Sequence, residues 1–414
     1  MTRILSNALL TDGRLVDVHI EDGLIAKVAA ATINHPEGAE VQDLGGWLLV
    51  PAMAEPHAHL DKALTAEDVP NPKGDLRGAI DGWIAAAASG MFTHENTVER
   101  AASAMELLLV HGVTAVRTHI NVLDTNRTKS LRAVKEAARR FDGLLDVQTV
   151  ALTSSPMTGP AGAANRSALE AAVEEGVDFI GGCPHLDPDG PGLIRNALKV
   201  ATDAGIGVDL HVDEMLDPSV LTLRELARQV IDSGFSGSVA AGHCVTLGMQ
   251  PRSVQLEVSR LVAEAGIAVF PLPQTNLFLQ GRDDLTAMPR GLTAVAALQE
   301  CGVLVAAGAD NVQDPFNLVG RSDPLETAAL MVMAGHQLPD TAYDMVSNNV
   351  RRAIGLPEVH IEPGDPADLV AIDAPSIRGA IADAPMSRRV FRRGVLVASA
   401  DQQSTIHHVA TDGR

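Results

Sequence analysis

Short apolar runs alternate with longer segments of helical period along most of this chain. Strand-like runs rich in Val, Ile and Ala fall at 113–122 (VTAVRTHINV), 145–152, 177–183, 206–214, 238–244, 267–272 and 303–311, and one more ends at His57. Between them lie stretches with apolar residues at helical spacing, such as TVERAASAMELLLVHG, TKSLRAVKEAARRF and TLRELARQVIDSG. Gly112, Gly176, Gly205, Gly234, Gly266 and Gly302 close these stretches where a left-handed C-cap belongs. Eight such units predict an α/β fold, a (β/α)8 TIM-like barrel over residues 51–359, a fold that usually takes ~250 residues. A doubly wound open sheet competes with it, but no Gly-x-Gly-x-x-Gly follows the first strand.

The two ends of the chain have a different texture. Residues 3–50 break into short alternating pieces, RILSNALL, LVDVHI, LIAKVAA and GGWLLV, with Asp12-Gly13 and Asp22-Gly23 as turn dipeptides. Residues 360–398 read the same way, through HIEPGDPADLVAID and RRVFRRGVLVAS. Each piece is too small to stand alone, and pairing them leaves fewer open strand edges than two separate appendages would. The expectation is a small β-sandwich domain from residues 1–50 plus 360–400, flanking the barrel, with 401–414 as a tail.

Composition narrows the function. Of 414 residues 46% are hydrophobic but only 3% aromatic, which suits an Ala-packed enzyme better than a surface that binds through aromatics. Lysine and arginine total 32 against 52 acidic residues, a net charge of −20, which disfavours nucleic acid and anionic membranes as partners. Cys183, Cys244 and Cys301 share no CxxC spacing and read as reduced thiols of a cytoplasmic protein. No basic segment followed by an apolar core opens the chain, and no charge-free run of 18 apolar residues is present.

The chemistry begins at PAMAEPHAHLDK, residues 51–62. Alternate residues of an extended backbone point to one side, so His57 and His59 can grip one ion. A helix would set them about 200° apart, and Pro51 and Pro56 disfavour one. Alone this pair could equally be a core feature, so other strand ends decide. In a barrel the chemistry sits at the C-terminal strand ends. There the chain places His119, Cys183-Pro184-His185, His211 with Glu214, His243, and Asp310-Asn311. So many polar groups in one ring of positions point to a metal site.

EPHAHLDK, VRTHINV, HVDE at 211–214, GHC at 242–244, NLFLQGRDD from Asn276 and GADNVQDPF from Gly308 together resemble the amidohydrolase superfamily, in its cytosine deaminase branch. The likeness covers residues 1 to about 400. It implies metal ligation by His57, His59, His211 and Asp310, and catalytic roles for Glu214 as proton shuttle and for His243 and Asp310 beside the attacking water. No lysine on the fourth strand can be carbamylated to bridge two ions, so one divalent ion per chain is expected, Zn or Fe. An ion so held lowers the pKa of water from 15.7 toward ~7. Barrels of this family often associate as homo-oligomers, and no segment identifies an interface.

Expected substrate contacts are Ser154, His119, His185, Gln280, Asn311, Phe316 and Lys62. Each residue has a plainer alternative: Glu214 as a first-turn helix acid, His243 as a core histidine, His119 as a brace, His185 and Gln280 as loop structure, Lys62 as solvated surface. Ser154 stands where cytosine deaminases carry a pyrimidine-reading glutamine, Asn311 replaces a second acid, and Phe316 replaces a tryptophan. These departures imply a roomier pocket than one built for cytosine. The expected reaction is hydrolytic deamination of an aminated nitrogen heterocycle, the other partner being water. The alternative is removal of an alkylamine from an s-triazine, as in the N-isopropylammelide hydrolases that share an HLDK-like motif and Asp-Asn, or cyclic amide hydrolysis. A non-catalytic binding barrel would need a lost ligand or acid, and none is lost.

Overall fold

The computed structural model describes residues 2–123 and 127–407, so the end of the expected tail, 408–414, lies outside the described residues. Two sheets organise it. The N-terminal pieces form β1 (Arg3–Leu9), β2 (Leu15–Glu21) and β3 (Leu24–Ala30), an antiparallel meander. Gly13 and Gly23 supply its turns at φ 86° and 82°, a region open to glycine at little cost. β4 (Glu40–Asp43) and β5 (Leu48–Pro51) depart from the hairpin expectation, since both pair with β1 in parallel.

The middle of the chain supplies β6 (Met53–Ala58), β7 (Val113–Val122), β8 (Asp146–Thr153), β9 (Phe179–Gly181), β10 (Gly207–Val212), β11 (Val239–His243) and β12 (Ala268–Phe270). They form one parallel sheet in chain order. Every residue of β6, β10 and β11 is buried, as in strands covered on both faces. The expected eighth strand, 303–311, is not a regular strand but bridges both edges in parallel, Val305 to Val269 and Asp310 to Ala58. A side chain interrupts its ladder: the Ala309 nitrogen donates to the Glu55 carboxylate at 2.9 Å.

β13 (Leu369–Ile372), β14 (Arg388–Arg392) and β15 (Val395–Ala400) complete the terminal sheet, whose order is β15-β14-β13-β5-β1-β2-β3 with β4 on β1. β13 lies antiparallel to β5, Val370 opposite Val50, and this pairing joins the two ends of the chain. Arg388 on β14 holds the sheet to the barrel, donating to both oxygens of Asp323 at 2.9 and 2.7 Å and to the His111 carbonyl at 2.7 Å.

The helices fall where the periodicity places them, for example His94–Val110, Lys129–Arg139 and Thr222–Ser233. One that was not anticipated is α1 (Leu76–Ala88), whose N-cap Asp75 accepts from the Gly78 nitrogen at 2.6 Å. Among the described residues no helix is long and apolar enough to cross a membrane.

Candidate active site

The alternation of β6 and the ends of β10 and β11 bring four imidazoles together. His57 Nε2 lies 3.1 Å from His211 Nε2, and His59 Nε2 lies 3.0 Å from the same atom. Asp310 Oδ1 is 3.2 Å from His59 Nε2 and 3.7 Å from His57 Nε2. All four residues are buried, and neither Asp310 oxygen meets a hydrogen-bond donor of good geometry among the described residues. Donors at ~2.1 Å around a tetrahedral ion sit ~3.4 Å apart, so this spacing fits a divalent cation. Burial pushes the three imidazoles well below and the Asp310 carboxyl well above their ordinary pKa values. Neutral imidazoles offer lone pairs, and a cation would relieve the cost of the buried carboxylate. His57, His211, His243 and Asp310 also offer ligand atoms that all lie within 4.8 Å of one another.

His243 stands at the edge of this cluster. Its Nε2 lies 3.7 Å from Glu214 Oε2 and 3.9 Å from Asp310 Oδ2. The Asn276 amide donates to His243 Nδ1 at 3.1 Å, which makes Nδ1 the acceptor and leaves the ring proton on Nε2, facing the carboxylates. His243 and Asp310 both adopt left-handed backbone, φ 66° and 67°, uncommon for residues with a side chain and frequent where function fixes a side chain's aim.

Glu214 is buried, and burial raises its carboxyl to about 8. The helix that follows is capped by its neighbour instead: Asp213 accepts from Thr222 N at 2.8 Å, Thr222 Oγ1 at 2.6 Å and Leu223 N at 3.0 Å. Asp213 has φ 51°, so the backbone turns there, and Glu214 is free to line the cavity.

That cavity, about 240 Å³, is lined by His59, His211, His243, Asp310 and Glu214 and, of the expected substrate contacts, by Lys62, Ser154, Asn311 and Phe316. His119, His185 and Gln280 lie outside the lining and touch it from behind. The His119 ring stacks on His57 with centroids 3.9 Å apart and sits 3.5 Å from Asp209, which is paired with the buried Arg117. His185 Nδ1 lies 3.2 Å from the His211 carbonyl, and Gln280 donates to the Glu214 carbonyl at 3.1 Å. His119 lies within β7, His185 in the short turn Pro184–Leu186 and Gln280 just after the helix Pro273–Leu279, and a place at this end of the barrel does not by itself aim a side chain.

Three features escaped the sequence reading. Asn276 lies inside a quoted motif without a role. Glu55 accepts from the nitrogens of His57 and Ala309, and an acid in the apolar strand MAEPHA was the signal. Leu76, Ile80, Trp83 and Ile84 of α1 line the cavity, and their helical spacing after Asp75 was visible.

An amidohydrolase family profile matches residues 179–402. The chain is 31% identical over 386 residues to a pterin deaminase of Rhizobium rhizogenes, covering 92% of this chain and 87% of that one. It is 24% identical to the N-isopropylammelide isopropyl amidohydrolase of a Pseudomonas species, over 95% of this chain and 96% of the relative. The crystal structure of 5-methylcytosine deaminase from Klebsiella pneumoniae, liganded with 5-fluorocytosine, superposes with a TM-score of 0.87 at 29% identity, covering 98% of this chain and 99% of that one. A matching profile over more than half of the sequence and a full-length relative above 30% identity place the chain in the amidohydrolase family, in its cytosine deaminase-like branch.

Proposed function

We propose that this protein is a metal-dependent hydrolytic deaminase of an aminated nitrogen heterocycle. The observation that carries the reading is the buried Glu214 carboxyl, 3.7 Å from His243 Nε2, in a cavity also lined by His59, His211 and Asp310. His57, His59, His211 and Asp310 would hold one divalent ion, Zn or Fe. When bound, that ion supplies hydroxide at neutral pH by lowering the pKa of water toward ~7.

The chain's own groups do the rest. Glu214, whose carboxyl burial holds above its ordinary range, is placed to carry a proton from water to a ring nitrogen. His243 Nε2–H, kept in that tautomer by Asn276, orients the attacking oxygen toward the carbon bearing the amino group. The amino group leaves as ammonia after a second proton transfer. Lys62, Ser154, Asn311 and Phe316 form the walls that seat the ring.

The names of the Rhizobium and Klebsiella relatives support deamination of a pterin- or cytosine-like ring. The name of the Pseudomonas relative supports a second reading, in which the leaving group is an alkylamine on an s-triazine. Ammonia release by metal-analysed protein from aminopyrimidines, pterins, aminopurines and aminotriazines tests the first. Amine without ammonia, from alkylaminotriazines alone, would shift the assignment to the second.

The remaining architecture follows the same reading. We infer a full (β/α)8 barrel over 51–359, with segment 303–311 as its eighth member. Residues 1–50 and 360–400 form the second unit as a β-sandwich, supported by a shared core of Leu5, Val18, Leu49, Leu369 and Phe391. Three free cysteines are consistent with a cytoplasmic location.

A further inference from the structure

Besides the imidazoles and carboxyls described above, the cavity has an apolar set of wall residues: Leu76, Ile80, Trp83 and Ile84, one face of α1 at positions i, i+4, i+7 and i+8, together with Leu186 and Phe316. Trp83 is held in place, stacked on Phe92 with ring centroids 4.0 Å apart and 20° between planes, with Lys62 Nζ 5.5 Å from its centroid.

Two members of this wall are open to water. Ile84 is 57% exposed and Leu186 42% exposed, although both line the cavity. A large aliphatic side chain at a cavity gains burial when a ligand covers it, and only an apolar ligand atom makes that gain. Charge points the same way. Lys62 is the only lysine or arginine among the described lining residues, and its Nζ lies 3.1 Å from His59 Nδ1 and 3.5 Å from Asp61 Oδ1. An anionic substituent would have to share that one ammonium with Asp61. The cavity, about 240 Å³, has room for a ring with a short group beside it.

We infer that the heterocycle this protein takes bears a short, uncharged alkyl substituent that packs against the α1 wall. This inference rests on the deaminase reading for the identity of the ring. The wall itself recognises the substituent whatever bond is cleaved.

The test compares kcat/KM of the full, metal-loaded chain for cytosine, 5-methylcytosine, 5-propylcytosine and 5-carboxycytosine, and for pterin with its 6-methyl, 6-propyl and 6-carboxy forms. In the series that turns over, each added methylene should raise kcat/KM about threefold to fourfold. The carboxy form should fall below the methyl form by about threefold or more, because a charged oxygen forgoes the gain of apolar burial and sheds hydration at these side chains. Ile84→Ser and Leu186→Ser should each shrink the ratio of propyl to parent by about threefold, and because this is a ratio it is insensitive to the fraction of folded enzyme. A ratio at or below one in the wild type, or an unchanged ratio in both variants, overturns the inference while leaving deamination standing. If neither series releases ammonia, the cytosine- or pterin-like assignment of the ring fails instead. The oxo products (uracil, thymine, 5-propyluracil, and lumazine with its 6-alkyl forms) are then titrated calorimetrically. Tighter binding of the alkylated product sustains the wall assignment, and equal, weaker or absent binding ends it.

Discussion

Glu55 Oε2 accepts a hydrogen bond from the backbone nitrogen of Ala309 at 2.9 Å, across the seam between the first strand of the barrel and the segment that carries Asp310. Its Oε1 accepts from the His57 nitrogen at 3.0 Å. The seam has few backbone ties of its own, chiefly the bridge between Ala58 and Asp310. One carboxyl therefore ties the strand that carries His57, with His59 just beyond its end, to the segment bearing Asp310. Gly308 is part of the fit, since a Cβ there would lie 2.3 Å from Glu55 Oε1.

Glu55→Gln keeps the shape but turns an amide NH2 toward one of two buried backbone donors. Leaving one buried donor without an acceptor costs about 1–3 kcal/mol. The variant should melt lower and lose its metal to a chelator about tenfold more readily, as expected when a group that orients ligands is changed. Thermal melts and competitive metal titration measure both effects. An unchanged melt with unchanged metal affinity would show that the clamp does not set the ligand geometry.

Glu214→Gln removes a proton carrier without removing a proposed ligand. Turnover should fall about a hundredfold to ten-thousandfold, the usual contribution of general acid–base catalysis. Metal content by elemental analysis should stay the same. Activity that survives would sink the mechanism, whereas joint loss of metal and activity would make Glu214 a ligand instead.

Asn276 tests the tautomer of His243. If its amide donates to Nδ1, then Asn276→Asp, nearly isosteric but unable to donate when ionised, should be as damaging as Asn276→Leu. Both should lower kcat by about tenfold or more, a common penalty for a group that orients a site residue, with a smaller effect on KM. Full kcat in Asn276→Asp would reverse the assigned direction of the hydrogen bond.

Much of this arrangement was readable from the chain because parallel strands buried on both faces leave long apolar runs, and Gly at helix ends punctuates them. Strand β7 coincides with the run VTAVRTHINV at both ends. Convergence of His57, His59, His211, His243, Glu214 and Asp310 followed from their shared place at strand ends. The segment 303–311 misled because its composition is strand-like, while the partner of its Ala309 nitrogen is a side chain 254 residues away. α1 carries visible helical spacing at Leu76, Ile80, Trp83 and Ile84, but the Pro- and Gly-rich lead DVPNPKGDLRG and Gly82 within the helix argue against one. His119, His185 and Gln280 sit behind the cavity for different local reasons that periodicity does not encode: His119 lies within β7, His185 in the short turn Pro184–Leu186, and Gln280 at the end of the helix Pro273–Leu279.

Removing the ion should expose the cost of the cluster itself. Without a cation, Asp310 stays buried with both oxygens lacking a well-placed donor, and three imidazoles face one another at 3.0–3.1 Å with too few protons to satisfy all contacts. A ligand that binds only the folded state stabilises it by about 4 kcal/mol at a thousandfold excess over its Kd. Chelator-stripped protein should therefore melt several degrees lower than the loaded form. Zinc or ferrous iron, but not magnesium, should restore the melt, because imidazole ligands favour the former pair. Calorimetric melts with and without each ion read this directly. Equal melting of stripped and loaded protein would mean that the imidazoles and Asp310 are satisfied among themselves and hold no ion.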